Sequence, residues 1–489
     1  MVKNKNKNKK AVAIAPTQQL NTENTDGDNP RNTPLPIDNH RDEILRKIER
    51  DRVVIIHGET GCGKSSRLPL FLLEDLTQKK RPCKIIVSQP RRIAAVNLYR
   101  RLAQTLGDKV GLRMGFGVHI GDDTPITFVT TGILIRYFSM SPEKLASFTH
   151  IIIDEVHERS IDNDVSCFFV RNFLKKFSHL RVILMSATIE HNLYKSYFNQ
   201  FGQYGDMNCL SVGARRFPVS IKYAENIFEE TKDNVRMLKL IQSSRQLADS
   251  TRSIKILNDD ISASVIKSQY TVVEEIICNI IPPGSGVLVF VSGMADIVEL
   301  NEKFELRNAS MLLNDEIDLS FKVFVIHSDI PLEEQEAAFL PVNSNEIKII
   351  LATNAAESSI TIPDADYVIC LGMCKSVRYN QSTHKKFLGT SWISQASAIQ
   401  RAGRTGRVRP GFVYRLYSQD LYEKFSEHEE PEIRRTPMQD VILNLRSTFE
   451  KSHDFEGVKP ILNQLIEPPG IIYIYIYIYI NTINTMYLN

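Results

Sequence analysis

The sequence predicts an α/β protein of two tandem domains, each built on a parallel, doubly wound sheet. Three observations carry this expectation. From about residue 40, short apolar runs alternate with helix-length stretches, the pattern of strands that pair in parallel through helical crossovers. That alternation occurs in two series separated by a polar stretch. Finally, 489 residues, at roughly 100–200 per domain, accommodate two to four domains.

The elements follow in order. Residues 1–38 are rich in Lys, Asn, Thr and Asp and read as a disordered arm. Its lysines Lys3, Lys5, Lys7, Lys9 and Lys10 fit a nuclear address, a loose phosphate-binding tail or a plain solvated charge run. No apolar secretory segment is expected there. In the first domain (39–215), Arg41–Asp51 reads as a helix. Strands are expected at Val53–His57, Lys84–Ser88, Ile126–Val129, His150–Ile153 and Val182–Met185, with helices at Arg67–Thr77, Ile93–Leu106 and Val165–Phe177. The second domain (216–435) begins with a polar, helix-compatible stretch near 225–275. Its expected strands are Val287–Val291, Lys322–Ile326, Ile347–Ala352, Tyr367–Leu371 and Phe412–Leu416.

Composition excludes little else. The chain is 43% hydrophobic and 24% charged, which suits a soluble globular protein. A net charge of +3 names no partner, so nucleic-acid binding requires locally concentrated positive charge. The longest apolar run, Ile471–Ile480, is half of the roughly 20 residues that a spanning helix needs. Seven cysteines without a Cys-x-x-Cys pair suggest a reducing compartment and structural thiols. Residues 470–489 lack charge and alternate Ile with Tyr, an aggregation-prone pattern. An (AT)n repeat would encode it, so this tail is expected to be translated repeat sequence at a premature end. Sequencing the transcript across these codons tests that reading.

Three motifs carry chemistry. Gly58-Glu-Thr-Gly-Cys-Gly-Lys-Ser65 follows the first strand and fits G-x-x-x-x-G-K-[ST]. Its glycines let backbone N–H groups face phosphate oxygens at a helix N-terminus. Lys64 then reaches the β- and γ-phosphates, and the Ser65 hydroxyl joins a Mg²⁺ shell. Asp154 and Glu155 end the apolar strand Ile151–Ile153. In an NTPase, the first holds Mg²⁺ through water and the second accepts the proton of the attacking water. His157 is a candidate for hydrogen bonding across the domains. In Gln400-Arg-Ala-Gly-Arg404-Thr-Gly-Arg407, closely spaced arginines fit a surface patch, an RNA tract, or fingers that stabilise γ-phosphate charge from the second domain.

These motifs resemble those of the DEAH-box RNA helicases of helicase superfamily 2, in the family's order. The set also includes Gln89-Pro-Arg-Arg92, Thr130-Thr-Gly132, Ser186-Ala-Thr188, Phe290-Val-Ser-Gly293 and Thr353–Thr361. The box reads Asp-Glu-Val-His. The resemblance covers about 40–470 and implies two RecA-like domains and an ATP-dependent RNA helicase translocating 3′ to 5′ on a single strand. By the same resemblance, Gly58, Glu59, Thr60, Gly61, Cys62, Gly63, Lys64 and Ser65 would bind ATP, and Ser65, Asp154 and Glu155 would hold Mg²⁺. Glu155, Gln400, Arg404 and Arg407 would be catalytic, with Gln400 positioning the water. Arg101 and Phe339 would sandwich adenine, while His157, Ser186 and Thr188 would couple ATP state to domain closure. Arg91, Arg92, Thr130 and Thr353 would bind the RNA backbone, giving salt-dependent, sequence-tolerant affinity. The segment Lys375–Ser391 resembles the family's protruding β-hairpin.

Family members continue into a winged helix, a ratchet-like domain and an OB-fold, which in some relatives engage activator proteins. Residues 436–469 resemble the start of the winged helix, and the chain is expected to be truncated beyond it. The alternative expectation is therefore a nucleotide- and RNA-binding fragment without unwinding activity. A nuclear or cytoplasmic location is expected.

Overall fold

The computed structural model describes residues 34–468 except 116, 188–190, 201–203, 205–206, 208, 214–216, 228–236, 255–260, 314–318, 342, 358–361, 363–364, 381–384, 437 and 450–456. The expected arm up to residue 33, Thr188 and the Ile-Tyr tail lie outside the described residues. Residues 34–38, counted with the arm in the sequence reading, are structured. Pro36–His40 is a 3₁₀ turn, and Ile37 is fully buried in the first domain's core because it packs beneath the phosphate loop.

The strands are β1 (Val53–His57), β2 (Ile85–Gln89), β3 (Val110–Arg113), β4 (His119–Ile120), β5 (Ile126–Thr130), β6 (His150–Ile153), β7 (Arg181–Ser186) and β8 (Leu210–Ser211). They form one sheet in the order β4-β3-β5-β2-β6-β7-β1-β8. Every pair except β3–β4 is parallel. Burial on both faces explains the near-continuous apolar runs. Val54 and Ile56 enter one core cluster, while Val53 and Ile55 enter the other.

A second sheet contains β9 (Val219–Tyr223), β10 (Gly286–Phe290), β11 (Ser320–Ile326), β12 (Glu346–Ala352), β13 (Ala365–Cys370) and β16 (Gly411–Arg415). Its order is β11-β12-β10-β13-β16-β9, parallel throughout. Strands β14 (Met373–Asn380) and β15 (Lys385–Trp392) pair antiparallel as a separate hairpin where Lys375–Ser391 was expected to form one. The polar stretch contributes two helices, Leu238–Arg252 and Ala263–Asn279.

Several short elements escape the apolar-run criterion. Strand β9 precedes the polar stretch and pairs with β16 at the sheet edge; its half-exposed Val-Ser-Ile-Lys-Tyr has no continuous apolar run. The helix expected at Val165–Phe177 begins at Ile161, because Ser160 accepts the Asn163 N–H as an N-cap. All seven cysteines are free thiols.

The described part of 436–469 is helical, with helices at Met438–Phe449 and Val458–Asn463. It returns to the first domain. Ile433, Val441, Leu445, Ile461 and Leu465 join Ile135, Val165 and Phe168 in one buried cluster. Burying such side chains stabilises by about 1.5–3 kcal/mol each. Polar contacts fix the register: Arg159 pairs with Asp164 at 3.1 Å and with Glu467 at 3.0 Å, and Arg171 donates to Gln464 at 2.8 Å.

His150, buried at the start of β6, supplies a pH-dependent term. Burial first, then the Arg181 charge, lowers its pKa to about 4 from 6.5. The unfolded chain binds the proton more readily, so stability is full above about pH 6.5 and falls as pH drops towards 4. The loss is on the order of 3 kcal/mol. Urea unfolding at pH 7 and pH 4.5 should show a smaller difference in His150→Gln; an unchanged difference would assign the slope to other groups.

Candidate active site

In an open parallel sheet, ligands gather beyond the carboxyl ends of the strands where the order reverses. Both predicted acidic and phosphate motifs lie there, after β6 and β1. His57 ends β1, and the loop Gly58–Gly63 leads into a helix, Lys64–Gln78, that starts earlier than the expected Arg67. Gly61 (φ +88°) and Gly63 (φ +102°) adopt left-handed backbone that side chains resist. A Cβ at Gly63 would also collide with Leu35 and Ile37. The loop is anchored by Gly58 N–H donating to Ser186 O and Ile37 N–H donating to Cys62 O, both at 3.1 Å. Buried Lys64 Nζ donates to Gly58 O, and to Glu59 O at 3.2 Å. This side chain therefore already lies along the loop's concave side.

Asp154 is 1% exposed and Glu155 5%. Asp154 Oδ2 accepts from Gln89 Nε2 at 2.7 Å, and Oδ1 accepts from the Glu155 N–H at 2.9 Å. Burial, then the neighbouring Glu155 charge, pushes Asp154 up to about 7, against hydrogen bonds from Ser65 and Gln89 and the Lys64 charge. Glu155 itself takes a left-handed backbone (φ 54°), held by Asn163 Nδ2 donating to its carbonyl at 3.2 Å. The Ser65 hydroxyl and two carboxylates are hard oxygen donors of the kind Mg²⁺ takes. The buried Gln89 Oε1 lacks a hydrogen-bond partner among the described residues and adds a further acceptor. The donor set fits that cation.

His157, a candidate for bonding across the domains, bonds within the first. Its Nδ1 accepts the Ala187 N–H at 3.2 Å, which places the ring proton on Nε2, 3.6 Å from Glu155 Oε2. The acidic turn thereby touches the Ser186–Ala187 segment, and Ser186 O holds the phosphate loop.

The second domain completes the site. Arg407 lies directly over Gly61: a Cβ there would stand 3.0 Å from Arg407 Nε. All three Arg407 guanidinium nitrogens are shielded from solvent without a hydrogen-bond partner among the described residues. Burial, then the Arg404 charge, lowers the pKa of Arg407 well below the ordinary arginine value. Arg404 is 2% exposed and held down to about 10 by burial, against the attraction of Glu155 and Glu357. Arg401 turns the other way, into its own domain, bonding Glu357 at 3.0 Å and Met373 O at 3.1 Å. Two of the three closely spaced arginines therefore face the first domain, and one is structural.

A helicase conserved C-terminal domain matches residues 269–409, and a DEAD/DEAH box helicase domain matches residues 39–196. The chain belongs to the DEAD/DEAH box helicase family. It is similar to the DExH-box ATP-dependent RNA helicase DExH1 of Arabidopsis thaliana, with 33% identity over 90% of this chain and 46% of the relative. The ATP-dependent RNA helicase DHX29 of Homo sapiens shows 31% identity over 89% of this chain and 34% of the relative. Among solved structures, the Escherichia coli DEAH/RHA helicase HrpB aligns with a TM-score of 0.68 and 25% identity, over 90% of this chain and 49% of that one. The chain thus spans less than half the length of these helicases.

Of the remaining helicase-motif residues, Gln400 and His157 line one interdomain cleft with Arg91, Glu357 and Lys375. Arg91, expected on RNA, bridges the domains: it donates to Glu158 at 3.3 Å and to Asn354 O at 2.7 Å. Arg92 is exposed at a helix start, Thr130 ends β5, and Thr353 caps a 3₁₀ turn through its hydroxyl. Arg101 lies near Arg67 on the first domain, and Phe339 packs half-buried on the second. Their neighbours Arg100 and Glu336 form an ion pair that joins the two segments. Sequence reasoning missed Gln89, Asn163 and Ile37, whose roles arise from long-range packing.

Proposed function

We infer that this chain is an ATP-dependent RNA helicase that couples Mg-ATP hydrolysis to translocation along single-stranded RNA and to remodelling of duplexes or RNA–protein complexes. The observation that carries this reading is Arg407 of the second domain resting on Gly61 of the first-domain phosphate loop. A site shared in this way turns over only when the domains close, so bound RNA that alters closure also alters hydrolysis. The relatives' description as ATP-dependent RNA helicases supplies the substrate class.

Lys64 would bind the β- and γ-phosphates, and Ser65, Asp154 and Glu155 would hold Mg²⁺, which when bound supplies positive charge against the phosphate oxygens. Glu155 would take the proton of the attacking water, and Gln400 would orient that water. Arg404 and Arg407 would meet the charge developing on the γ-phosphate. The charge is worth most in this water-poor interface. Arg101 and Phe339 would stack on adenine, with few base-edge bonds and hence weak nucleotide selectivity. His157, bonded to Ala187, would couple the site to closure together with Ser186 and Thr188. Arg92, Thr130 and Thr353 would contact RNA backbone, and Arg91 would exchange its interdomain contacts for phosphate.

A duplex with a 3′ single-stranded RNA tail, incubated with the full chain and ATP, tests this reading. Strand release that requires both ATP and the tail is expected. Tail binding without ATP-dependent release would instead identify a nucleotide- and RNA-binding fragment.

A further inference from the structure

We propose that Gln89 is a positioning residue of the nucleotide site: its buried amide locks the Asp154 carboxylate and offers Oε1 as an acceptor to the hydration shell of the bound cation. This rests on the Mg-ATP reading above and extends it to a residue that the sequence motifs place only at the head of an RNA-facing segment.

Three observations converge. Gln89 ends β2, which lies between β5 and β6, so its side chain emerges beside the acidic turn that follows β6. It is 0% exposed, and Nε2 donates to Asp154 Oδ2 at 2.7 Å. With Oδ1 taken by the Glu155 N–H at 2.9 Å and the Ser65 hydroxyl bonded to the same group, both carboxylate oxygens are held and the group cannot rotate freely. Finally, Gln89 Oε1 is buried without a hydrogen-bond partner among the described residues. A buried acceptor left unpaired carries the penalty of its lost hydration. A donor from the cation's water shell removes that cost when nucleotide binds. The amide is bifunctional here: its N–H sets the carboxylate, and its oxygen is left open for a donor that arrives with the ligand. A carboxylate at this position would repel Asp154, and an apolar side chain would do neither task.

The test uses the full chain and a fluorescent ADP analogue, titrated with and without Mg²⁺. Wild type is expected to bind more tightly with Mg²⁺; no gain in wild type would overturn the Mg-ATP reading itself. In Gln89→Met, similar in volume but without donor or acceptor, the Mg²⁺-dependent gain should fall roughly 10–100-fold, the range for residues that orient metal ligands. Its Mg²⁺-free affinity should stay within about twofold, well below that change. In an Asp154→Asn background the same substitution should have little further effect, because the carboxylate it orients is gone. Should Gln89→Met not fold, Gln89→Asn, which withdraws the amide by one methylene, gives the same readout. A full Mg²⁺-dependent gain in either folded variant, or additive losses with Asp154→Asn, would overturn the positioning role.

Discussion

Glu155→Gln is expected to lower ATP turnover by about 10²–10⁴-fold, the usual contribution of a general base, while nucleotide affinity stays near the wild-type value. The substitution removes one charge and keeps the shape. Glu155 is buried, its left-handed backbone is braced by Asn163, and its neighbour Asp154 has separate anchors in Gln89 and Ser65. The candidate phosphate loop is built on a different strand, β1, from the acidic turn that carries Glu155. Binding and chemistry should therefore separate: titration with a non-hydrolysed ATP analogue should show little change where steady-state turnover collapses. Turnover at the wild-type rate would remove Glu155 from the base role.

Arg407→Ala should have an effect of similar size for a different reason. An arginine that meets transition-state charge contributes about 10³–10⁵ in rate. Arg407 sits against Gly61 with every guanidinium nitrogen buried and without a partner among the described residues. Such a charge costs the fold free energy until an anion arrives, on the order of several kcal/mol for an unpaired buried ion. Two outcomes follow together. Hydrolysis slows strongly, and the nucleotide-free variant melts no lower than wild type, because the substitution removes an uncompensated charge. Unchanged turnover would contradict the finger assignment, and a large drop in melting temperature would show that Arg407 serves packing instead. Arg401→Ala makes the contrast, since its bonds to Glu357 and Met373 are structural and its loss should destabilise the second domain.

Much of this was legible in the residue order because buried parallel strands are written as continuous apolar runs. Val53–His57 and His150–Ile153 were read with their observed boundaries for that reason. The phosphate loop and acidic pair were equally legible, since their chemistry needs particular residues at fixed local spacing. Edge strand β9 was not legible, because one solvent-facing side breaks the apolar run. Nor was the division of labour among Arg401, Arg404 and Arg407, which depends on how a helix end packs between two domains. Gln89 was hidden for the same reason: its partner Asp154 lies on a neighbouring strand far along the chain. His157 was equally hidden: it lines the interdomain cleft, yet its hydrogen bond stays inside its own domain.

The central claim is that the two domains form one nucleotide site whose turnover answers to RNA. The most direct measurement is steady-state ATP hydrolysis by the full chain with and without single-stranded RNA, beside Glu155→Gln as the blank. Turnover that rises with RNA, weakens with added salt and vanishes in Glu155→Gln is the predicted result. A folded, nucleotide-binding chain whose hydrolysis never exceeds that of Glu155→Gln, with or without RNA, would contradict it.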